Sequence, residues 1–140
     1  IHTMVCHLPS QLGGYSNTEY KRQIAKQRIQ DQIDSIFTTS SNAEIVVMGD
    51  MNTSPLNDLE GMYNLMLLFQ KSGQGTHKYH GIWSCLDQFY VSQSLHKKSI
   101  VSIFSPDWLL EDKRPHRTHI GYKYHNGYSD HLPIILTITK

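Results

Sequence analysis

The sequence has little of several features that mark specialised classes of protein. Its two cysteines, Cys6 and Cys85, are too few for a disulfide framework and lack the spacing of metal ligands. The longest apolar runs, residues 65–69 and 132–136, are far shorter than the ~20 residues needed to cross a bilayer. The net charge is only +1, which gives no strong electrostatic case for nucleic acid, because duplex-binding proteins usually carry a concentrated basic patch. What remains is an ordinary composition for one small folded domain.

The chain starts without an initiator methionine, in a stretch (residues 1–5) whose pattern predicts the middle of a strand. We therefore expect the sequence to be a fragment of a longer protein. A targeting segment of the parent would lie upstream of such a fragment, so the sequence leaves the cellular location open.

Hydrophobic periodicity predicts an α/β fold. Ser16, three residues before Glu19, predicts a capping box that opens a helix reaching Phe37. The apolar side chains of this helix recur at helical spacing: Tyr20, Ile24, Ile29, Ile33, Ile36 and Phe37. The continuous apolar run at 43–48 predicts a central strand, buried on both faces, that carries Asp50 at its carboxyl end. The remaining predicted elements are a helix over 58–69 and strands over 4–8, 83–91, 100–104 and 132–139.

The first motif that carries chemistry is Gly49-Asp50-Met51-Asn52. Glycine allows a turn at the end of the strand, so Asp50 and Asn52 project from one loop into the same space. A carboxylate there can align and deprotonate a water, and a neutral amide can donate to a phosphoryl oxygen without repelling it. Asp and Asn also form turns, so the motif is equally compatible with a purely structural turn.

The second motif, Asp130-His131, lies immediately before the last predicted strand. It supplies one hard oxygen ligand for a divalent cation and one imidazole that can face a phosphate. Adjacent residues of an extended chain point to opposite sides, so we expect the two side chains to serve neighbouring functions. A loop histidine with ordinary hydrogen bonds is the alternative.

Two further residues complete the candidate set. Asp87 lies in an otherwise apolar strand, where a buried carboxylate needs a partner, and a protonated His131 would supply one. His7 ends the first strand, two residues before Pro9. Taken singly, each has a structural alternative, a solvated strand face for Asp87 and a structural histidine for His7.

The order of these motifs resembles the endonuclease/exonuclease/phosphatase superfamily. That superfamily includes pancreatic deoxyribonuclease, apurinic-site endonucleases, neutral sphingomyelinases and inositol polyphosphate phosphatases. The resemblance runs from His7 to His131, which is nearly the whole chain. The stretches at 86–89 and 127–133 are most similar to a bacterial branch of the kind seen in Bacteroides-like bacteria.

The resemblance implies in-line hydrolysis of a phosphoester. In it, His7 matches the histidine that contacts the scissile phosphate and protonates the leaving group. Asp50 matches the carboxylate that orients or deprotonates the attacking water, and Asn52 matches the amide that stabilises this arrangement. The substrate stays open among nucleic acid, a phospholipid head group and a sugar or inositol phosphate.

The resemblance also implies a metal site. Asp130 matches the aspartate near the metal, which is Mg²⁺ with Mn²⁺ as an option. His131 matches the phosphate-binding histidine that Asp87 orients. The main metal-binding glutamate of the superfamily comes from the amino-terminal half, so we expect the metal site of this chain to be incomplete. Cys6 is a further departure, because relatives often have an asparagine there.

The implied fold is half of a four-layer α/β sandwich of the deoxyribonuclease type, with mixed or antiparallel sheets flanked by helices. Residues 1–140 would form the carboxy-terminal portion of the domain, and the amino-terminal half of the same protein would be its partner. A half-fold exposes apolar surface, so we also expect a homodimer of the fragment. The corresponding alternative function is a non-catalytic binding or assembly domain.

Nine histidines raise the alternative of a zinc hydrolase or metal-binding module. His77 and His80 are three residues apart, as are His116 and His119, which would suit a helix. Glycine and proline beside both pairs predict loops instead, and no H-E-x-x-H motif is present, so the sequence disfavours zinc. We expect both loops to line the rim of the active-site cleft. The predicted substrate contacts are His77, Tyr79 and Trp83, with Tyr122 and Tyr124 nearby.

Overall fold

The chain alternates strands with three α-helices over residues 1–139, the part described by a computed structural model. The strands are β1 (His2–His7), β2 (Ile45–Asp50), β3 (Met62–Asn64), β4 (His77–Tyr79), β5 (Ile82–Ser84), β6 (Asp87–Ser92), β7 (Ser99–Ile103), β8 (Leu110–Glu111), β9 (Arg114–Pro115), β10 (His119–Ile120), β11 (Lys123–Tyr124) and β12 (Ile134–Ile138). The helices are α1 (Tyr15–Thr39), α2 (Leu67–Lys71) and α3 (Gln93–His96), with a 3₁₀ turn at Asp107–Leu109. The predicted α/β class is confirmed. Within residues 1–139, no helix combines the length and apolarity that a membrane span requires.

A four-stranded mixed sheet in the order β1-β2-β6-β3 forms the centre of the fold. β1 pairs with β2 in parallel, whereas β6 runs antiparallel to both β2 and β3. In β2 the side chains of Ile45, Val46 and Val47 are each at most 3% exposed, although they alternate between the two faces of the sheet. The predicted central strand is therefore confirmed, and its continuous apolar run follows from burial on both faces.

Helix α1 covers one face of the sheet and differs from the sequence prediction at its start. Gly14 is the N-cap, so Ser16 lies within the first turn and the predicted capping box was wrong. The second half of the helix packs into the core around the fully buried Ile33. In the first half, Tyr20 and Ile24 are 59% and 58% exposed, contrary to the predicted apolar stripe.

Polar side chains are buried in the first half of α1 instead. Arg22 is 2% exposed and donates to the carbonyl oxygens of Pro9 (3.3 Å) and Tyr15 (2.8 Å). Lys26 pairs with the carboxylate of Asp58. This end of the helix therefore faces backbone carbonyl groups that need hydrogen-bond donors. A buried cationic side chain can donate to these carbonyl groups, whereas an apolar side chain cannot.

The opposite face of the sheet packs against an antiparallel ribbon of β7 and β12. The core between them contains Val46, Phe89 and Val91 of the sheet, with Val101 and Leu136 of the ribbon. The other face of the ribbon is open, because Ile100 and Ile135 are 64% and 44% exposed.

Three predicted elements have different bounds or types. The helix over 58–69 was wrong, because this segment forms β3 and then α2. β3 is held in the sheet by β6, and its Asn64 side chain donates to Gln88 Oε1 (2.9 Å) in the buried interior. The single strand over 83–91 is two strands, β5 and β6. The last strand begins at Ile134, since Pro133 cannot donate to a ladder.

Gly49 has a steric role that can be tested. Its φ is +132°, and a Cβ at this position would lie 1.9 Å from the carbonyl oxygen of Cys6 in the neighbouring strand. We expect Gly49→Ala to lower the free energy of unfolding by about 2–4 kcal/mol, because strain and a backbone clash add up. Gly73→Ala is the matched control, since Gly73 also has a positive φ (+75°) but faces open space. Equal losses of stability in chemical denaturation would show that the contact with Cys6 is unimportant.

Candidate active site

Three candidate residues form one row across the central sheet. In the register of the sheet, His7 at the end of β1 pairs with Asp50 at the end of β2, and Asp50 pairs with Asp87 at the start of β6. His7 Nε2 lies 3.6 Å from Asp50 Oδ2. The His7 side chain is 76% exposed and the Asp50 side chain is 19% exposed, so the imidazole is accessible to solvent and the carboxylate is mostly buried. The three neighbouring strands thus place a histidine and two carboxylates at the same end of the sheet, where β1 and β2 end and β6 begins.

Asn52 is turned back onto this row by the loop that follows β2. Its backbone N–H donates to Asp50 Oδ1 (2.8 Å), and its φ is +48°, a conformation that asparagine tolerates better than most residues. Its side-chain amide donates to the backbone carbonyl oxygen of Leu8 (2.9 Å), and the backbone carbonyl oxygen of Asn52 accepts from Gln11 Nε2 (2.9 Å). Asn52 therefore links the loops after β1 and β2 and fixes one oxygen of Asp50.

His131 is held by Asp87. Its Nδ1 lies 2.7 Å from Asp87 Oδ2, and both side chains are mostly buried. With Nδ1 engaged in this way, Nε2 is the nitrogen left for a ligand. A backbone bridge joins His131 to His77, and the centroids of the two rings are 4.9 Å apart. The ion pair that was predicted from Asp87 in an apolar strand is present in the structure.

The environment moves the pKa values of the two neighbouring histidines in opposite directions. Burial lowers the pKa of His131, but the hydrogen bond and charge of Asp87, with the charges of Asp50 and Asp130, outweigh it and raise the pKa overall. Burial lowers the pKa of His77, and the positive charges of His131 and Arg117 lower it further. This arrangement therefore favours protonation of His131 over protonation of His77.

Asp130 and His131 converge with His77, contrary to the expectation that adjacent residues point apart. One ligand atom from each of the three residues lies within 4.8 Å of the other two. The chain at 129–131 is bent and not extended, since the backbone N–H of His131 donates to Ser129 Oγ (3.1 Å). This bend brings an exposed carboxylate and two imidazoles to the same side, where they could hold a divalent cation.

An open cleft of about 560 Å³ lies beside these groups. The residues that line it are Gln11, Gly14, Tyr15, Asn52, His77, Tyr79, Ser84, Leu86, Asp130 and His131. Two of the residues predicted to contact substrate, His77 and Tyr79, line this cleft, and Tyr79 is 63% exposed.

The third predicted contact, Trp83, lies elsewhere. In the antiparallel β4–β5 pair it is opposite Lys78, whose side chain points away from the face that carries His77 and Tyr79. The Lys78 ammonium lies over the Trp83 ring at 5.2 Å from its centroid. The loop at 116–125 was also predicted at the rim, yet it contributes none of the described residues that line the cleft.

Sequence reasoning missed two residues near the site. Tyr15 lines the cleft from the first turn of α1, where its ring also stacks on the buried Arg22 (4.7 Å). Arg117 Nη2 donates to the Lys78 carbonyl oxygen (2.7 Å) and lies 3.5 Å from His77 Nε2. Arg117 lies 40 residues after His77 in the sequence, so nothing in the sequence indicated that the two side chains are close.

A histidine and two carboxylates on adjacent strand ends, with a second histidine held by one of the carboxylates beside an open cleft, define a hydrolase-like site in a mixed α/β fold. The sequence model of the Endonuclease/Exonuclease/phosphatase family matches residues 1–140, and the chain therefore belongs to this family. The family comprises phosphoester hydrolases that commonly use divalent metals. No curated protein sequence and no solved structure matches the chain.

The Asp87–His131 pair leads to a prediction about pH. Asp87→Asn removes the charge that keeps the pKa of His131 raised, so we expect that pKa to fall and the ring to lose its proton at lower pH. A raised pKa in the folded state stabilises the fold at low pH, and this contribution is lost as pH rises through the folded value, so the variant should lose stability mainly on the acidic side. The titration of each ring can be followed by NMR in metal-free buffer. His2, which is exposed at the far end of β1, is the internal control; an unchanged His131 titration would contradict the assignment.

Proposed function

We propose that this domain hydrolyses a phosphoester by in-line attack of a water that Asp50 orients and deprotonates. The observation that carries the proposal is the 2.7 Å contact between His131 Nδ1 and Asp87 Oδ2, beside the row that contains Asp50. A histidine that a carboxylate holds in position at a cleft can donate to a phosphate oxygen, and more strongly when it is protonated.

In the proposed reaction, the water oxygen attacks phosphorus while its proton passes to Asp50, and the bond from phosphorus to the leaving oxygen breaks. The leaving oxygen takes its proton from His7, whose exposed ring is free to reach it. His131 donates to a non-bridging oxygen, where negative charge accumulates in the transition state. Asn52 keeps the Asp50 carboxylate in position through its backbone N–H.

Asp130 fits a divalent cation by its chemistry. An exposed carboxylate is the oxygen donor that Mg²⁺ or Mn²⁺ prefers, and Mg²⁺ is often held by one or two carboxylates together with substrate phosphates. When bound, such an ion supplies positive charge beside the phosphoryl oxygens. His131 is already engaged by Asp87, which favours a role for it on the phosphate. The family resemblance assigns a further glutamate ligand to an amino-terminal half of the protein.

A panel of phosphoesters tests the proposal. Bis(4-nitrophenyl) phosphate reports on diesterase activity and 4-nitrophenyl phosphate on monoesterase activity, each with Mg²⁺ or Mn²⁺. Oligonucleotides, phospholipids and inositol phosphates extend the panel to the candidate substrate classes. Turnover that depends on Asp50 and His131 supports the proposal, whereas turnover that is indifferent to both residues contradicts it.

A binding or assembly role is a second candidate, and exposed apolar surface favours it. β1 is an edge strand whose Val5 is 77% exposed, and Ile100 and Ile135 are exposed on the β7–β12 ribbon. Unpaired edges and apolar faces promote pairing with another segment.

We propose that residues 1–140 are the carboxy-terminal portion of a larger domain whose amino-terminal half covers these surfaces.

The isolated chain is accordingly expected to self-associate. Sedimentation velocity over a hundredfold range of concentration should show a rising sedimentation coefficient, because a second copy would cover the same apolar surface. Val5→Lys, which places a charge on the edge strand, should weaken the association. A sedimentation coefficient that is independent of concentration would count against this surface as an interface.

A further inference from the structure

A second group of metal-ligating side chains lies outside the cleft, on the two small hairpins between β7 and β12. One ligand atom each from Glu111, His116 and His125 lies within 4.8 Å of the other two. His125 Nδ1 is 3.5 Å from one oxygen of the Glu111 carboxylate, and His116 Nε2 is 3.9 Å from the other. All three side chains are partly buried, between 24% and 35% exposed.

The backbone holds these three residues together. Glu111 ends β8, and His116 directly follows β9, its antiparallel partner. The N–H of His116 donates to the carbonyl oxygen of Leu109 (2.8 Å). His125 directly follows β11, and its N–H donates to the carbonyl oxygen of Thr118 (2.7 Å), which closes the second hairpin. The group is therefore built from two closed hairpins and does not depend on loose loop ends.

The approach of the following segment requires a glycine. A Cβ at Gly127 would lie 2.3 Å from the carbonyl oxygen of His116, so no other residue fits there without movement of the backbone. This close passage allows the same carbonyl oxygen to accept from the N–H groups of Tyr128 (2.7 Å) and Ser129 (3.2 Å). The backbone of His116 is thereby joined to the segment that leads into Asp130 and His131.

We propose that Glu111, His116 and His125 form a second metal site that binds Zn²⁺. Two imidazoles and one carboxylate form a ligand set that suits zinc. Tetrahedral zinc with bonds of about 2.1 Å separates its ligand atoms by roughly 3.4 Å. One ligand atom from each of the three residues already lies within 4.8 Å of the other two, so only small rotations of the side chains are needed to reach this separation. The hydrogen bond from His116 Nε2 to the His125 carbonyl oxygen (3.3 Å) would give way, and a water would complete the fourth position.

The metal site would not contact substrate. It would instead help to position the turn that carries Asp130 and His131 at the cleft. Zinc that joins Glu111 to His116 and His125 ties the two hairpins to each other. The His116 carbonyl oxygen then holds residues 128 and 129 against this rigid base. Glu111, His116 and His125 are thus positioning residues for the turn that carries Asp130 and His131, and their function is independent of which phosphoester is hydrolysed.

Isothermal titration with Zn²⁺ tests the site, and a His77→Ala background removes the other cluster of possible ligands in the cleft. In that background we expect one zinc per chain. Adding Glu111→Gln or His125→Ala should weaken binding at least tenfold, since each removes one of three protein ligands. Adding His119→Ala is the matched control and should leave affinity unchanged, because His119 is an exposed histidine of the same hairpin.

Two further measurements keep the test independent of folding and of hydrolysis. Circular dichroism of the isosteric Glu111→Gln variant checks that the fold is retained. Zinc should raise the melting temperature of the His77→Ala protein by several degrees and leave that of the Glu111→Gln double variant unchanged, because a ligand stabilises only the state that binds it. Absence of zinc binding in the His77→Ala protein would overturn the proposal. Full affinity after the loss of Glu111 or His125 would also overturn it.

Discussion

Asp50→Asn is expected to lower the rate of phosphoester hydrolysis by about three orders of magnitude. The substitution keeps the shape of the side chain and can still accept the hydrogen bond from the Asn52 N–H (2.8 Å). It removes the proposed general base, and general base catalysis contributes typically ~10²–10⁴-fold. The loss should therefore appear in kcat, with little change in KM. Initial rates at saturating substrate and metal measure both quantities.

Asp34→Asn is the control for this experiment. Asp34 is an exposed aspartate on α1 that accepts a hydrogen bond from Gln30, remote from the row of site residues. It makes the same chemical change without touching the cleft, so its rate should equal that of the unmodified chain. An Asp50→Asn protein with near-normal kcat would remove Asp50 from the mechanism.

His131→Ala is expected to lower the rate about a hundredfold or more. It removes the proposed donor to the phosphoryl oxygens, and the loss of one preorganised donor typically costs ~10²–10³-fold. It also leaves Asp87 buried without its partner at 2.7 Å, so a loss of stability should accompany the loss of rate. The rate and the denaturation midpoint must therefore be measured on the same preparation.

Two variants separate these two effects. Asp87→Asn keeps the imidazole but removes its ion pair, so its rate should fall less than that of His131→Ala. His2→Ala deletes an exposed histidine at the opposite end of β1 and should change neither rate nor stability. A His131→Ala protein that is destabilised but fully active would show that the Asp87–His131 pair is structural only.

The sequence predicted those features whose cause is local. A continuous apolar run identified β2 as a central strand with Asp50 at its end, because a strand buried on both faces has apolar residues at successive positions. An aspartate within the apolar strand β6 called for a cationic partner, and the motif order suggested His131. Each of these inferences needed only the residue and its immediate neighbours.

The remaining features depend on contacts between distant segments. Residues 58–69 resemble a helix in isolation, but pairing with β6 and the buried amide of Asn64 select a strand over part of that segment. Trp83 was assigned to the cleft from its neighbourhood in sequence, whereas the register of β4 and β5 decides its face. A one-residue difference in such a register reverses every side chain, and the sequence alone does not specify it.

The contacts between histidines also depend on how distant segments pack, which the sequence alone does not specify. Spacing in the sequence paired His116 with His119, but the β10–β11 hairpin sends the chain back so that His125 arrives beside His116 instead. The relevant separation is nine residues, which corresponds to no helical or strand period. Only the closed hairpin makes that distance short.

Strand pairing holds the backbone of His7, Asp50 and Asp87 in place independently of the loops around the cleft. Neighbouring strands are about 4.8 Å apart, and backbone hydrogen bonds hold that spacing on both sides of Asp50. The backbone positions of the proposed acid and base are therefore set by the pairing of the strands and not by any loop. Changes in the loops around the cleft would leave this backbone spacing unchanged, whereas the exposed His7 ring can still rotate.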